Sequence, residues 1–210
     1  DELEAIHHNK MESVIERHRA VITETKHDKA IHAFAPQSNT TLTPIVGTSG
    51  AVKDGRQTLT RQDIVALKGE FDRLKVPLND RVLVLCSDHV NDLLLLDQKF
   101  VDQYYKYETG KIMNLLGFQI YEYVGNPYYN GTTRAKNAFG AALVPGTDFQ
   151  ASVAFAASRM FKCAGTTKTY LSRAENNPTT QENLINFRHR YIALPKKQEA
   201  IAAIVSVRAA

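Results

Sequence analysis

The sequence predicts an α+β fold in which a long helix is followed by a sheet-bearing domain. Three observations carry this. Residues 3 to about 34 hold an apolar stripe at helical spacing, with no Gly or Pro until Pro36. Residues 60 to 86 run from an amphipathic helix through a Val76-Pro77 turn into the apolar stretch Val82-Leu83-Val84-Leu85-Cys86. The last third of the chain contains further strand-like runs at 184–194 and 200–207.

In the first segment Met11, Val14, Ile15, His18, Val21, Ile22 and Thr25 recur at three- and four-residue steps, and charges occupy the remaining face. At about 1.5 Å per residue the helix is roughly 45 Å long, which suits a strut. Residues 37–59 are polar and dense in turn signals (Gly47, Gly50, Asp54-Gly55), so they read as a loop and as the best domain boundary. Thr60, with Asp63 three residues on, predicts a capping box; Ile64, Leu67, Phe71 and Leu74 give the helix 60–74 its buried face. The run 82–86 is apolar at every position, which places it centrally in a sheet. Ser87-Asp88-His89 opens a short Leu-rich segment ending at Leu93 to Leu96. Residues 97–109, with Tyr104, Tyr105 and Tyr107, read as a surface helix or loop. Phe139 to Val144 reads as a strand, Asn126-Pro127 and Asn130-Gly131 as turns. Residues 151–157 fit either a strand or a short helix. Met160–Cys163, Leu184–Leu194 and Ala200–Val207 complete the strands.

With 210 residues the chain can bury a sizeable core, as one large domain or two small ones. No apolar run approaches the roughly 20 residues needed to span a bilayer. The chain opens Asp1-Glu2-Leu3-Glu4, without Met or a secretory signal, and is expected to be a fragment or a processed form. The Asn39 and Asn130 sequons are therefore read as chance. Charge is distributed unevenly. Residues 1–50 carry five Lys and Arg against seven Asp and Glu, whereas residues 151–210 carry nine against three. A basic C-terminal third fits nucleic acid, an acidic neighbour or a solvated face.

Catalytic patterns are sparse. Gly110-Lys111 lacks the second Gly of a phosphate loop, since Tyr105 stands there and Ile112 follows the Lys. Cys86-Ser87-Asp88-His89 places a nucleophile and a base at a strand end, but with no glycine elbow and no third member. The plainer reading is a buried Cys followed by a Ser N-cap with Asp in the first turn. His7, His8, His18, His27 and His32 lack metal-ligand spacing, and neither Cys86 nor Cys163 belongs to a CxxC pair. Arg188 and Arg190 share one face of a strand pattern, with Phe187, His189 and Tyr191 on the other. That face is open to three readings: a stacking nucleic-acid strand, a contact with another subunit, or a solvated edge.

The order of these pieces resembles the major capsid proteins of tailed phages of the Hong Kong 97 type. The resemblance rests on the capped helix 60–74, the strand Val82 to Cys86, the short segment ending Leu93 to Leu96, Gly110-Lys111-Ile112, and Leu115-Leu116-Gly117-Phe118-Gln119-Ile120-Tyr121. Before these stands a long helix with the exit Ile31-His32-Ala33-Phe34-Ala35-Pro36; after them come Arg190 to Pro195 and the small-apolar run Ala200 to Val205. The resemblance covers most of the chain, and its specificity lies in the order of packing signatures. It implies an α+β fold with a spine helix and part of a peripheral domain in 1–45. An axial α/β domain follows in 46–154, β-rich peripheral strands in 155–194 and a return strand in 195–210. The N-terminal arm and extended loop of the family are absent, so the piece is expected to fold as a monomer without assembling.

The implied function is a structural coat protein, not an enzyme, that self-assembles into an icosahedral shell packaging DNA. Its partners would be copies of itself in pentamers and hexamers, then scaffold, portal and double-stranded DNA; no cofactor, metal or membrane is implied. Its place would be the virion capsid, after synthesis in the bacterial host cytoplasm. Glu12, Glu16 and Glu24 on the helix and Arg188, Arg190, Lys196 and Lys197 near the C-terminus are candidate subunit-contact residues, being opposite charges in different segments. Two alternatives stay open: a cytoplasmic α/β enzyme using Cys86 and His89, and a nucleic-acid-binding module using the basic C-terminal third.

Overall fold

A computed structural model describes residues 2–96, 102, 105–106, 111–112, 114–172, 176, 179 and 184–209. The N-terminal helix α1 is continuous over Glu2–Phe34, and Pro36 follows its last turn where the missing N–H forbids continuation. The chain forms two compact units, one of residues 1–26 and 162–193, the other of 27–161 and 194–210.

The larger unit is organised by a five-stranded sheet. Its strands, in spatial order, are β1 (Ile45–Gly47), β15 (Ile201–Val205), β10 (Ser152–Ala156), β4 (Arg81–Leu85) and β7 (Gln119–Glu122). β1 runs parallel to β15 and β4 parallel to β7; β10 is antiparallel to both its neighbours, with Val153 opposite Ala203 and Val84. The three middle strands alternate between two cores, as a period of two dictates. Leu83, Leu85, Ala154, Ala156, Ala202 and Ile204 pack with Ile64, Leu67 and Phe71 of α2 (Arg61–Arg73) and with Val90 and Leu93 of α3 (Ser87–Leu96). Val82, Val84, Val153, Ala203 and Val205 pack on the other side with Ile31, Ala35 and Tyr129. Sandwiched between both sets, β4 has no polar face beyond its first residue, which is why Val82–Leu85 is apolar.

α2 is bounded by the capping box read from sequence: the Thr60 side chain accepts from the Asp63 backbone N–H, and Asp63 Oδ2 accepts from the Thr60 N–H at 2.8 Å. Arg81, 2% exposed, opens β4 by donating to Val76 O at 2.6 Å and pairing with Asp72 at 2.7 Å. The end of α1 is tied to the sheet unit by polar contacts. Lys136 Nζ donates to His32 O and Ala35 O at 2.9 and 2.7 Å, Tyr129 OH donates to Pro36 O, and Tyr123 OH donates to Asp28 at 2.6 Å. The Lys136 contacts satisfy carbonyls that a helix end otherwise leaves open.

In the smaller unit β12 (Lys168–Ser172) and β13 (Leu184–Arg188) form an antiparallel pair. β11 (Met160–Ala164) pairs with β14 (Tyr191–Pro195) where the chain passes between units.

Several expectations need correction. The apolar run 139–144 is an exposed loop and not a strand, with Phe139 48% and Val144 56% exposed. It finds no partner because β8 (Tyr128–Asn130) pairs with β9 (Asp148–Gln150), and Gly140 and Gly146 turn the connection at φ +76° and +73°. Residues 115–118 form a tight turn, with Leu116 and Gly117 at φ +52° and +84°, so only Gln119–Glu122 is strand. The stretch 184–194 is two strands, because His189 and Arg190 leave the ladder and Arg190 O accepts instead from Gly165 N at 2.8 Å. Residues 37–59 lie inside the larger unit and supply β1 and a hairpin, β2 (Val52–Lys53) with β3 (Arg56–Gln57). Ser87 is the first residue of α3 rather than its cap.

Along α1 the predicted stripe is only partly covered. Ile15, Ile22 and Thr25 are half-buried, while Val14 and Val21 are 40% and 53% exposed; burial is complete only at Ile31. Tyr104, Tyr107 and Gly110, and the side chains of His7, His8, Met11 and Lys111, lie outside the described residues; Tyr105–Lys106 (β5) pairs with Lys111–Ile112 (β6).

Candidate functional site

Two clusters carry the chemistry that the sequence singled out. The first surrounds Cys86 and His89. β4 delivers Cys86 to the edge of the core, and the first turn of α3 folds His89 back beside it, with Val90 N donating to Cys86 O at 3.1 Å. Both residues are fully buried. His89 Nδ1 lies 2.6 Å from Ser152 Oγ and Nε2 lies 2.9 Å from Ser206 Oγ, so both ring nitrogens are engaged. Ser152 Oγ also accepts from the Cys86 N–H at 3.2 Å, and Cys86 Sγ donates to Gln150 O at 3.5 Å. Beside this cluster Arg56 and Asp92 form a bidentate pair at 2.6 and 3.0 Å, and Asp92 accepts in addition from Leu59 N.

The electrostatics oppose the use of Cys86 as a nucleophile and of His89 as a charged group. Burial pushes the Cys86 thiol up to about 11, so the nucleophilic thiolate is absent at neutral pH. Burial, and then the nearby Arg56, push His89 down to about 4, so it is neutral. A protonated thiol, a saturated imidazole and no exposure of either make a hydrogen-bonded linker between α3, β10 and the segment after β15. Sequence reasoning placed Cys86 and His89 near each other but missed Ser152, Ser206, Arg56 and Asp92. The available signal was polar residues inside apolar runs: Ser152 opens Ser-Val-Ala-Phe-Ala, and Ser206 closes Ile-Ala-Ala-Ile-Val.

The second cluster is on the β12–β13 hairpin. Around the end of β13, Phe187, His189 and Tyr191 are half-buried, while Arg188 and Arg190 are exposed. The first set meets α1: the Phe187 ring lies 5.6 Å from that of His18, and Lys26 sits 5.7 Å over the Tyr191 ring. The second set lines a cleft of about 200 Å³ with Gly165, Thr166 and Lys168. Lys168 stands directly opposite Arg188 in the register; the sequence reading missed it. Among the described residues no carboxylate pairs with Lys168, Arg188 or Arg190. Lys196 and Lys197 are exposed but belong to the other unit. Glu12, Glu16 and Glu24 are exposed on α1 and likewise form no ion pair among the described residues. No group of metal-ligating side chains is present among the described residues, and no described helix is long and apolar enough to cross a membrane.

No family model matches the chain, and no curated protein matches it in sequence. Solved structures do. A structure described as Mycobacterium phage Che8 matches at TM-score 0.55 and 16% identity, over 89% of this chain and 59% of that one. The mature capsid of bacteriophage PhiM1 matches at 0.55 and 14%, over 90% and 61%. The capsid of cyanophage P-SCSP1u matches at 0.59 and 13%, over 95% and 66%. The chain thus spans about three fifths of the length of the first two chains it matches. At such identities the likeness is one of fold, and it runs over nearly all of this chain: the protein shares its fold with chains of solved phage capsid structures.

Proposed function

We propose that this protein is a structural coat subunit of a tailed phage or prophage, of the Hong Kong 97 type, which assembles with copies of itself into a closed icosahedral shell around DNA. The observation that carries the reading is the shared fold with phage capsid structures over 89–95% of the chain. In this reading α1 is the spine helix, residues 46–154 with the return strand in 195–210 form the axial domain, and 155–194 with part of 1–45 form the peripheral domain. The separate compactness of 162–193 with 1–26 supports that layout. The buried thiol and neutral imidazole at Cys86 and His89 favour no enzymatic alternative. Scaffold and portal proteins are further partners under this reading, with the virion as its place after synthesis in the host cytoplasm.

The test is to express the full-length product in bacteria and examine the sedimenting fraction by electron microscopy. Closed shells of uniform diameter are the expected result. A product that stays soluble and monomeric under all scaffold conditions refutes it.

A further inference from the structure

Lys168, Arg188 and Arg190 bring three positive charges to one cleft. Lys168 and Arg188 are directly opposed across an antiparallel pair, an arrangement in which like charges destabilise the strand pairing. Arg190 brings a third positive charge to the same cleft. Among the described residues none of the three has a carboxylate partner. Among its described residues α1 of the same copy supplies no counter-charge. Phe187 and Tyr191 meet that helix at His18 and Lys26, while Arg188 and Arg190 are exposed.

The same unit carries the complementary surface. Glu12 and Glu16 are exposed one helical turn apart on α1, on neighbouring positions of one face, and are unpaired among the described residues. A contact between identical copies that is not two-fold symmetric requires two different, complementary patches on each copy. Resting on the capsid reading, we propose that the Lys168–Arg188–Arg190 cleft receives the Glu12–Glu16 carboxylates of a second copy, and so fixes the register between neighbouring subunits. A cleft of about 200 Å³ suits one or two carboxylates, whereas a duplex backbone is tracked by cations spread over a longer surface. Exposed charge pairs set register and encounter more than affinity.

The experiment uses the full-length protein in four forms: wild type, K168E/R188E, E12K/E16K, and the combination of all four substitutions. Shell yield is read by sedimentation and electron microscopy, and folding of each form by thermal melting. Each double reversal is expected to abolish shells and the combination to restore them, since it swaps the charges across the contact. Normal shells from K168E/R188E, or a loss that the combination does not rescue, overturns the proposal while leaving the capsid reading intact. Should a reversal fail to fold, Lys168→Gln replaces it. Removing one of two opposed cations is expected to raise the melting temperature and at the same time lower shell yield; a fall in melting temperature with unchanged yield overturns the proposal. A gel-shift with duplex DNA at low and high salt is run alongside. DNA binding that is lost in K168E/R188E while shells persist makes the cleft a phosphate site and refutes the assignment. If wild type makes no shells, the capsid reading fails. Self-association of wild type at low salt, absent in K168E/R188E, then still supports the cleft; no association by wild type refutes it as well.

Discussion

Acid should weaken this protein through one residue, His89. Its folded-state value is depressed from 6.5 to about 4, chiefly by burial and next by Arg56, while Asp92 and Asp63 act weakly in the other direction. The sign follows directly. Between pH 6.5 and 4 the unfolded chain binds a proton at this position and the folded chain does not, so stability falls as pH falls through that window. A displacement of this size corresponds to about 3 kcal/mol lost by pH 4, at no more than about 1.4 kcal/mol per pH unit. That is a large share of a typical stability of about 5–15 kcal/mol. The assay is urea unfolding at pH 7.5, 6.5, 5.5 and 4.5 for wild type and for His89→Gln. The difference between the two proteins, rather than either slope, isolates the imidazole. His89→Gln is expected to be less stable at pH 7.5, because it leaves Ser152 or Ser206 without its present partner, and to lose less stability on acidification. Parallel pH slopes for the two proteins refute the reasoning.

Three further outcomes follow from the same geometry. Native protein treated with a thiol reagent should label quickly at exposed Cys163 and only after unfolding at buried Cys86, and Cys86→Ala should cost about 1–3 kcal/mol in urea; two fast thiols in native protein contradict this. Asp92→Ala strands Arg56 in the interior and should cost about 3–5 kcal/mol, well above the effect of breaking the exposed Lys68–Asp72 pair. Gly125→Ala would set a methyl 2.0 Å from Asp28 Oδ1, so it should break the Tyr123–Asp28 hydrogen bond and speed amide exchange in the last turns of α1; unchanged exchange there would show that this contact does not anchor the helix.

What could be read from the sequence was whatever is encoded within a few residues. The Thr60–Asp63 box, the Ile64–Leu67–Phe71 face and the apolar run Val82–Leu85 of β4 each announce themselves locally, and each appears as read. The run 139–144 has the composition of a strand, but a strand exists only with a partner, and the pairing of β8 with β9 removes the available one. The break at His189–Arg190 has the same cause, since the partner of Arg190 is Gly165, distant in sequence. The buried cluster shows the limit most sharply. Cys86 and His89 are three residues apart and legible as neighbours, while Ser152 and Ser206 reach His89 across 63 and 117 positions. Lys168 was likewise invisible until the β12–β13 register placed it opposite Arg188.

The two-sided sheet has a consequence for how such a chain can drift. A strand covered on both faces prescribes the size and polarity of each side chain, position by position, and is indifferent to which residue meets the prescription. Ala154, Ala156, Ala202 and Ala203 sit where helices or strands approach closely, so the rule there is smallness; Leu83, Leu85 and Ile204 sit where volume must be filled. Many words satisfy such a grammar. Chains that share few letters can parse equally well, and 13–16% identity to phage structures is compatible with one fold for that reason.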